Sequence, residues 1–368
     1  MTLFTHFEEL QDPRIDRTKH YELQSLIFLT ISAVVADCEH YTEIADFGDE
    51  RLSWLQSHGH FLDGRTPSHD ILGNLFRRMD PIAFRTCFMQ WTSAVCGSTD
   101  GALVSIDGKT LRRSHDHRNG KKAIHVISAW SSSNQVVLAQ MKVDDKSNEI
   151  TAIPELLALL DLKGAAVSID AMGCQTEIAE GILDRGGEYL LGAKGNQSEL
   201  MEEVEMCFVH NAPSSVDEQW DKGHGRIESR TCAVIDSPDL QDRFPRWAGL
   251  KSLVRIVSTR EEVTTGKRSE EIRFYISSLQ ADAARFNSLV RQHWGVENQV
   301  HWVLDVTFDE DGSCIRKDHG SQNMAAIRRI ALTICRTFTG DKKSTSRRRK
   351  SAARSDAQLD ALLGFKTR

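Results

Sequence analysis

The tetrapeptide Val-Ser-Ile-Asp occurs twice in the chain, at residues 104–107 and 167–170. Each copy is a short apolar segment of strand length that ends on an acid, Asp107 or Asp170, and a small residue follows it. Strand ends of α/β sheets open into the crevice where ligands bind. A single strand-end aspartate usually caps a turn or a helix, but the repetition favours a site that the two acids share.

The segments around the two copies predict a mixed sheet. Two further strands, at 123–130 and 136–143, follow the first copy, and the residues 131–134 between them are a hairpin turn signal. The next elements are a helix, a strand, a helix and a strand, at 150–160, 165–169, 176–183 and 189–191. Strands joined by hairpins and then alternating with helices predict an α/β fold with a mixed sheet flanked by helices.

Changes in residue pattern divide the chain into three parts. Residues 1–96 carry apolar side chains at helical spacing and predict an N-terminal helical domain. The main α/β domain is predicted over 97–340, with a β-rich insertion at about 195–280. The predicted strands of the insertion are 230–235, 253–258 and 272–277. Residues 341–368 predict a basic C-terminal tail with a short helix.

A third acid, Glu297, lies on a predicted helix that runs from about Asp282 to Leu304. The core stripe of this helix comprises Val296, Val300, Val303 and Leu304. Glu297 lies at the border of the stripe, with His293 and His301 one turn away on either side. A carboxylate there is costly unless it is solvated, paired or bound to a metal ion. A zinc hydrolase site is disfavoured because the H-E-x-x-H pattern is absent.

Three convergent carboxylates would offer the hard oxygen ligands that Mg²⁺ or Mn²⁺ prefers. Two such ions can activate a water or a 3′-hydroxyl and stabilise the leaving oxygen in a displacement at phosphorus. The eight cysteines are scattered without a C-x-x-C pair, which argues against a zinc ribbon and a secreted disulfide framework. The formal net charge of −6 does not indicate a nucleic-acid partner. Whether the chain binds DNA has to be judged from the local arrangement of basic residues.

Neither a membrane span nor a leader is predicted. The longest apolar run, Leu26–Ala36, is too short to cross a bilayer. The first residues lack the basic start and the small-residue cleavage site of a signal peptide. We therefore expect a cytosolic protein.

Six motifs occur in order between residues 105 and 305. They are Ser105-Ile106-Asp107-Gly108-Lys109, Ser147-Asn148-Glu149-Ile150, Ile169-Asp170-Ala171-Met172 with Gln175, Lys194-Gly195-Asn196-Gln197, His224-Gly225-Arg226-Ile227-Glu228-Ser229-Arg230, and His293-Trp294-Gly295-Val296-Glu297-Asn298 with His301-Trp302-Val303-Leu304-Asp305. In these motifs and their order the chain resembles the DDE-type insertion-sequence transposases, in the branch that includes the H-repeat-associated proteins.

The resemblance implies a ribonuclease-H-like fold in which Asp107, Asp170 and Glu297 are the catalytic ligands of two Mg²⁺ or Mn²⁺ ions. It also implies cleavage of double-stranded DNA at the inverted-repeat ends of an element, and strand transfer into target DNA. A homodimer assembled on the DNA, associated with the nucleoid, would carry out these steps. Related transposases with a β-insertion place Tyr, Arg and Lys at offsets −7, −4 and +7 from the glutamate. This chain has Val290, His293 and Leu304 there, so His293 and Arg291 are candidates for the phosphate contacts.

Basic side chains near the acids are typical of a DNA-facing cleft, because Lys and Arg contacts to phosphate supply most non-specific affinity. The candidates are Lys109, Arg112, Arg113, Lys194, Arg226, Arg230, Arg291 and His293, followed by Arg316, Arg328 and Arg329. Trp294 is a candidate for stacking on an unpaired base, whereas Trp302 is predicted to lie in the core. The cluster Arg347–Lys350 is either a DNA contact or part of a disordered tail.

Two alternatives remain beside the transposase. One is a ribonuclease-H-like nuclease that cuts without joining, and the other is an inactive DNA-binding remnant of a mobile element. The N-terminal domain also has two interpretations. Its segments 41–56 and 67–79 resemble two helices around a turn, and the second carries Arg77 and Arg78. These helices either recognise the ends of the element or only pack on the catalytic core.

Overall fold

The computed structural model describes residues 3–115, 122–143, 148–223, 225–280 and 282–365. Their α-helices are α1 (Leu23–Val35), α2 (Tyr41–Glu50), α3 (Leu52–Ser57), α4 (His69–Arg78), α5 (Pro81–Cys96), α6 (Glu149–Ala158), α7 (Thr176–Leu183), α8 (Ser198–His210), α9 (Leu240–Arg243), α10 (Ala283–Val296), α11 (Trp302–Thr307), α12 (Gly320–Thr337), α13 (Thr345–Ala352) and α14 (Asp356–Leu363). Their strands are β1 (Leu103–Leu111), β2 (Ile124–Ser131), β3 (Val136–Val143), β4 (Ala166–Ile169), β5 (Glu188–Ala193), β6 (Ser215–Gly223), β7 (Arg226–Asp236), β8 (Ser252–Glu262) and β9 (Arg268–Ser277).

The described strands form one sheet in the order β3-β2-β1-β4-β5-β9-β8-β7-β6. β4 pairs in parallel with both β1 and β5, and the other neighbours are antiparallel. The parallel strands are reached through α6 and α7, as a parallel connection requires a crossover. The predicted mixed sheet flanked by helices is therefore confirmed.

β1 is longer than the sequence predicts. It continues beyond Ile106 to Leu111, because β2 pairs with it along this whole length. Its parallel neighbour β4 ends at Ile169, which is opposite Ile106. Asp107 therefore lies inside β1, at the point where the parallel pairing stops and the sheet opens.

The predicted β-rich insertion is present, and its strands extend the same sheet beyond β5. The predicted strands correspond to β7, β8 and β9, which are each longer than predicted. β6 has no counterpart among the predicted strands. It is an edge strand with the polar sequence Ser-Val-Asp-Glu-Gln-Trp-Asp-Lys-Gly and mostly exposed side chains, so it lacks the apolar alternation that marks a half-buried strand.

The N-terminal and C-terminal helices share one hydrophobic core. Phe28 on α1 and Phe88 on α5 belong to the same buried cluster as Ile330 on α12 and Leu362 on α14. The side chain of Asn323 on α12 donates hydrogen bonds to the Phe76 and Met79 carbonyls at the end of α4, at 2.7 and 3.1 Å. Residues from both ends of the chain thus pack against each other.

The basic cluster Arg347–Lys350 lies on α13 and is not a disordered tail. Arg349 is fully buried and donates to the Val34 carbonyl at 2.8 Å and to Glu39 Oε1 at 2.7 Å. Arg348 is also buried and pairs with Asp341 at 2.8 Å. Both proposed roles are therefore wrong for Arg348 and Arg349, which fasten α13 to its surroundings. In the part of the chain described, we find no helix with the length and apolar character needed to cross a membrane.

Candidate active site

The two copies of Val-Ser-Ile-Asp lie side by side. Ile106 and Ile169 are partners in the parallel pairing of β1 and β4, so Asp107 and Asp170 follow at equivalent positions. Neighbouring strands are about 4.8 Å apart. Ser105 and Ser168 are also partners, and their hydroxyls lie 3.2 Å apart. The predicted adjacency of the two strands is confirmed.

Helix α10 covers one face of these strands. Asp282 caps it by accepting a hydrogen bond from the Arg285 amide at 2.8 Å. Phe286 and Val290 on α10 pack with Leu103 of β1 in one buried cluster. The apolar face of α10 therefore holds its C-terminal end, where Glu297 follows, above the end of β4 and the part of β1 beside it.

His293 is part of this packing. It is 5% exposed, and its Nδ1 lies 2.8 Å from the Ser168 hydroxyl. Burial lowers the pKa of His293 to about 4, so the ring is neutral at physiological pH. The prediction that His293 contacts DNA is wrong, because the ring is enclosed between α10 and β4.

The chain turns from α10 into α11 through a π-helical turn, Glu297–His301. Such turns often occur at functional sites. The predicted core stripe is confirmed, since Val296, Val300 and Leu304 are buried. Glu297 is exposed, and His301 Nδ1 lies 3.5 Å from Asp107 Oδ2. The predicted helix thus brings His301 directly to the first aspartate.

Acidic charge accumulates at this edge. The pKa of Asp107 is raised to about 7, chiefly by burial and also by the carboxylates of Asp170, Glu297 and Glu149, while the hydrogen bond from the Gly108 amide opposes the rise. Burial and then Glu149 raise the pKa of Asp170, while two backbone amides and Lys194 lower it. We call Asp107, Glu149, Asp170 and Glu297 the acidic edge.

The acidic edge suits a divalent cation by charge and by donor type, because carboxylate oxygens are the ligands that Mg²⁺ prefers. The buried Nε2 of His301 has no hydrogen-bond partner beside it. Within the described ranges, no three Asp, Glu, His or Cys side chains already form a group that could hold a metal ion. The donors are therefore of the right kind but are not grouped around a cation in advance.

Lys109 is not available to DNA. It is 7% exposed, and its ammonium lies 2.5, 3.1 and 3.3 Å from the carboxylates of Asp305, Glu310 and Asp311. Arg329 pairs with Glu310 at 2.8 Å, and both side chains are fully buried. We call these five residues the buried ion-pair cluster. The predictions of DNA contacts by Lys109 and Arg329 are wrong, because their charges are satisfied inside the protein.

Arg328 is a further correction, since it is 2% exposed and lies 3.9 Å from Glu39. Arg112 and Arg113 do lie at the surface, directly after β1. The Arg112 side chain is 82% exposed and lies 3.2 Å from Asp311. Arg316 donates to the Arg113 carbonyl at 2.9 Å. Lys194 is exposed and lies close enough to Asp170 to lower its pKa.

A polar groove of about 990 Å³ runs between α10 and the far strands of the sheet. Arg230, Arg291 and Trp294 line it, together with Arg273 and the exposed Trp220. The Arg273 guanidinium lies 4.0 Å from the centre of the Trp294 ring, and Arg291 lies 3.1 Å from Asp221. We call this feature the arginine groove.

Two predicted side chains lie elsewhere. Arg226 is on β7 and pairs with Glu228 at 2.6 Å. Trp302 is 57% exposed, so the prediction that it lies in the core is wrong. It comes two positions after Val300, which places it on the opposite side of the helix. Helical periodicity was the better guide there than residue type.

Sequence reasoning missed two side chains near the acids. Glu149, the first residue of α6, is the fourth carboxylate, and His125 on β2 contacts it. The sequence marks Glu149 only as part of the motif at residues 147–150, and it carries no local pattern that marks His125. Ser147 of that motif and His224 of another lie outside the described residues.

Comparisons with known proteins agree over nearly the whole chain. The family "DDE_Tnp_1-associated" matches residues 4–92, and "Transposase DDE domain" matches residues 95–334. The "Putative transposase YncI" of Escherichia coli O157:H7 is 39% identical, with 100% of this chain and 97% of that protein covered. The "H repeat-associated putative transposase YhhI" of Escherichia coli strain K12 is 40% identical, over 98% and 97%. A protein named "Inactive transposase YbfQ", also from strain K12, is 34% identical over 15% of this chain and 64% of its own length.

The mixed sheet, the acids at the ends of paired strands and these matches agree with one another. The chain belongs to the family of transposases that carry a DDE domain.

Proposed function

We propose that this chain cleaves DNA strands at the ends of an insertion sequence and transfers them into target DNA, with Asp107, Asp170 and Glu297 as the catalytic acids. The observation that carries the proposal is the parallel pairing of β1 with β4. It puts two carboxylates side by side below the helix end that bears the third. The strand order around them supports a ribonuclease-H-like arrangement of the catalytic domain.

Asp107, Asp170 and Glu297 would hold two Mg²⁺ or Mn²⁺ ions. When bound, such ions supply an activated nucleophile and charge stabilisation at the leaving oxygen. Burial, together with the neighbouring acids, raises the pKa of Asp107 to about 7. This residue therefore gains most from a nearby positive charge, which favours the ionised form. Glu297 is exposed, so its carboxylate is free to move toward the two aspartates.

DNA would approach along two surfaces that carry basic side chains, although Asp221, Glu228, Glu270 and Glu271 also line the second one. Arg112, Arg113 and Lys194 are exposed and are suited to phosphate contacts. Arg230, Arg291 and Trp294 line the arginine groove, next to the helix that leads to Glu297. Guanidinium groups beside an indole ring suit a phosphate backbone with an unpaired base stacked nearby. Arg226, on the same strand β7 as Arg230, would extend this surface.

The substrate would be double-stranded DNA, both as element ends and as target, and the enzyme would act as a homodimer assembled on it at the nucleoid. Two DNA ends have to be joined to one target in a coordinated way, which favours two copies. For the N-terminal helices we propose a packing role, because α4 is fastened to α12 by Asn323. Arg78, at the end of α4, is exposed.

The test is cleavage and joining of a labelled duplex that carries the DNA flanking the gene. We expect activity with Mg²⁺ or Mn²⁺ and little with Ca²⁺, whose looser coordination positions a nucleophile poorly. Asp107→Asn, Asp170→Asn and Glu297→Gln should each reduce cleavage about a thousandfold or more, with DNA affinity retained. Glu180→Gln, at an exposed position on α7, is the matched control and should cleave normally.

Three outcomes separate the alternatives. Full activity in chelator, or an active Glu297→Gln enzyme, would refute the assignment of the acids. Cleavage without any joined product would identify a nuclease. Binding of the ends without cleavage by the unaltered chain would identify an inactive remnant.

A further inference from the structure

Glu149 is held in place by a side chain that no proposed step uses. His125 on β2 contacts the Glu149 carboxylate through Nε2, and its Nδ1 lies 2.8 Å from the Thr110 hydroxyl. Thr110 is on β1, three residues after Asp107, and is the strand partner of His125. The Thr110 and His125 pair thus fixes both the ring and the carboxylate relative to β1.

The carboxylate lies against the backbone next to Asp107. A Cβ atom added to Gly108 would overlap both Glu149 Oε1 and His125 Nε2. The Gly108 amide donates to Asp107 Oδ1 at 2.8 Å. Only a residue without a side chain leaves room for Glu149 at this point, so Gly108 brings the two acids together.

Glu149 approaches the two aspartates from one face of the sheet, and Glu297 approaches them from the other. Ile153 and Leu156 on α6 pack with Ile106 and Ile169 in one buried cluster, whereas α10 packs on the other face. The first residue of α6 therefore stands at the ends of β1 and β4, as Glu297 does from above. The paired strand ends lie between two carboxylates from two different layers.

This placement brings a third carboxylate to the strand positions that carry Asp107 and Asp170. The Glu149 side chain is 19% exposed, and its Oε1 lies against the backbone of Gly108, which follows Asp107. The helix N-terminus and His125 explain why an acid is tolerated at position 149. They do not explain why the Glu149 carboxylate lies against Gly108, where it is close to two other acids.

We propose that Glu149 is a fourth carboxylate of the cation site, presenting an oxygen to the same divalent ion as Asp107 and Asp170, with His125 as its positioning residue. The inference rests on the proposed function, since it adds a ligand to the site assigned there. It also gives Gly108 a role, because a larger residue at this position would displace the Glu149 carboxylate from the cation site.

The experiment measures Mn²⁺ binding to the full chain without DNA, by the loss of the free-ion signal in electron paramagnetic resonance. Glu149→Gln should weaken binding at least tenfold, as should Asp107→Asn. Glu155→Gln, an exposed position on the same helix, is the matched control and should bind normally. His125→Asn should weaken binding less than Glu149→Gln, because it removes the support and keeps the ligand.

Melting temperature in chelator and with Mn²⁺ separates a ligand from a structural acid. For a ligand, Glu149→Gln should melt at the same or a higher temperature in chelator, because repulsion is relieved. It should also lose the stabilisation that Mn²⁺ gives the unaltered chain. A structural acid would melt lower in chelator and keep that stabilisation. Should Glu149→Gln fail to fold, Glu149→Asp, which keeps the charge on a shorter chain, should fold and still bind Mn²⁺ more weakly.

The outcomes distinguish the two proposals. Unchanged Mn²⁺ binding by Glu149→Gln, together with loss in Asp107→Asn, overturns the inference and leaves the proposed function standing. Unchanged binding in both variants overturns both.

Discussion

Asp107 and Lys109 are two residues apart on the same face of β1, yet their surroundings are opposite. Asp107 belongs to the acidic edge, where burial and neighbouring carboxylates raise its pKa to about 7. Lys109 belongs to the buried ion-pair cluster, where Arg329, Lys109 and Arg328 overcome the effect of burial and hold the pKa of Glu310 at about 2. One region brings like charges together, whereas each acid of the other lies 3.3 Å or less from a Lys or Arg nitrogen. The difference distinguishes acids that are suited to bind a cation from acids that stabilise the folded protein.

The two regions are joined through one helical segment. His301 lies 3.5 Å from Asp107, and Asp305, one turn later, lies 2.5 Å from Lys109. The buried ion-pair cluster therefore fixes how the segment that carries Glu297 lies along β1. Breaking a buried pair leaves one charge without a partner, which costs far more than the pair itself contributes.

The largest expected effect is on stability, from Glu310→Gln. It leaves Lys109 and Arg329 without their buried carboxylate, so the free energy of unfolding should fall by about 3–5 kcal/mol. Denaturant titration at pH 7 measures it. The depressed pKa of Glu310 means that its contribution is present above pH 4.5 and is lost as the pH falls toward 2. The deficit of the variant should therefore shrink in acid.

A double variant tests whether charge pairing is the cause. Glu310→Leu with Arg329→Met removes both charges at once, so the double variant should be more stable than Glu310→Gln alone. A Glu310→Gln protein as stable as the unaltered chain would contradict the contrast between the two regions.

The acidic edge should behave in the opposite way. Without divalent cations, Asp107→Asn should raise the free energy of unfolding at pH 8 by about 1–3 kcal/mol. The sign follows from the raised pKa, because the folded state binds the proton more tightly and loses stability as the pH rises from 3.8 to about 7. Below pH 3.8 the difference should vanish. Denaturant titrations in chelator across this range measure it, and a destabilised Asp107→Asn protein at pH 8 would mean that the acid is structural.

The smallest expected effects on stability are in the arginine groove. Arg230→Gln and Arg291→Gln should change the free energy of unfolding by less than about 0.5 kcal/mol, as for most surface substitutions. Each should weaken DNA binding and reduce the slope of log affinity against log salt by about 1. Arg260, on β8, also lines the groove. The effect of Arg260→Gln on DNA binding can therefore be compared with the effects of Arg230→Gln and Arg291→Gln. If the slope of log affinity against log salt were unchanged in both Arg230→Gln and Arg291→Gln, the groove would not be a DNA-binding surface.

Much of the fold follows from local patterns in the sequence. The paired strands, the insertion strands β7 to β9 and the core stripe around Glu297 all carry apolar periodicity. The two strand-end aspartates are marked by the repeated tetrapeptide. Edge strand β6 was missed because its side chains are polar and exposed, and the π-helical turn has no local signal.

The partners of the Lys and Arg side chains could not be predicted in the same way. Lys109 pairs with carboxylates 196 and 202 positions away along the chain, and Arg349 with a carbonyl 315 positions away. A basic residue has the same appearance in a sequence whether its partner is phosphate or a buried acid. Local sequence therefore predicts DNA contacts for the buried Lys109, His293 and Arg329 as readily as for the solvent-exposed Arg112 and Lys194. Glu149 escaped notice for a related reason, because only the folded chain brings it to Gly108.

The most direct measurement compares cleavage and stability in the same preparations of Asp170→Asn and Glu310→Gln. Single-turnover cleavage of a labelled element end with Mg²⁺ is followed at a temperature below the melting point of both. We predict that Asp170→Asn melts no lower than the unaltered chain and loses cleavage about a thousandfold or more. Glu310→Gln should melt much lower and retain a larger share of its activity. An Asp170→Asn enzyme that cleaves at the normal rate, or that loses activity only in proportion to lost folding, would contradict the account.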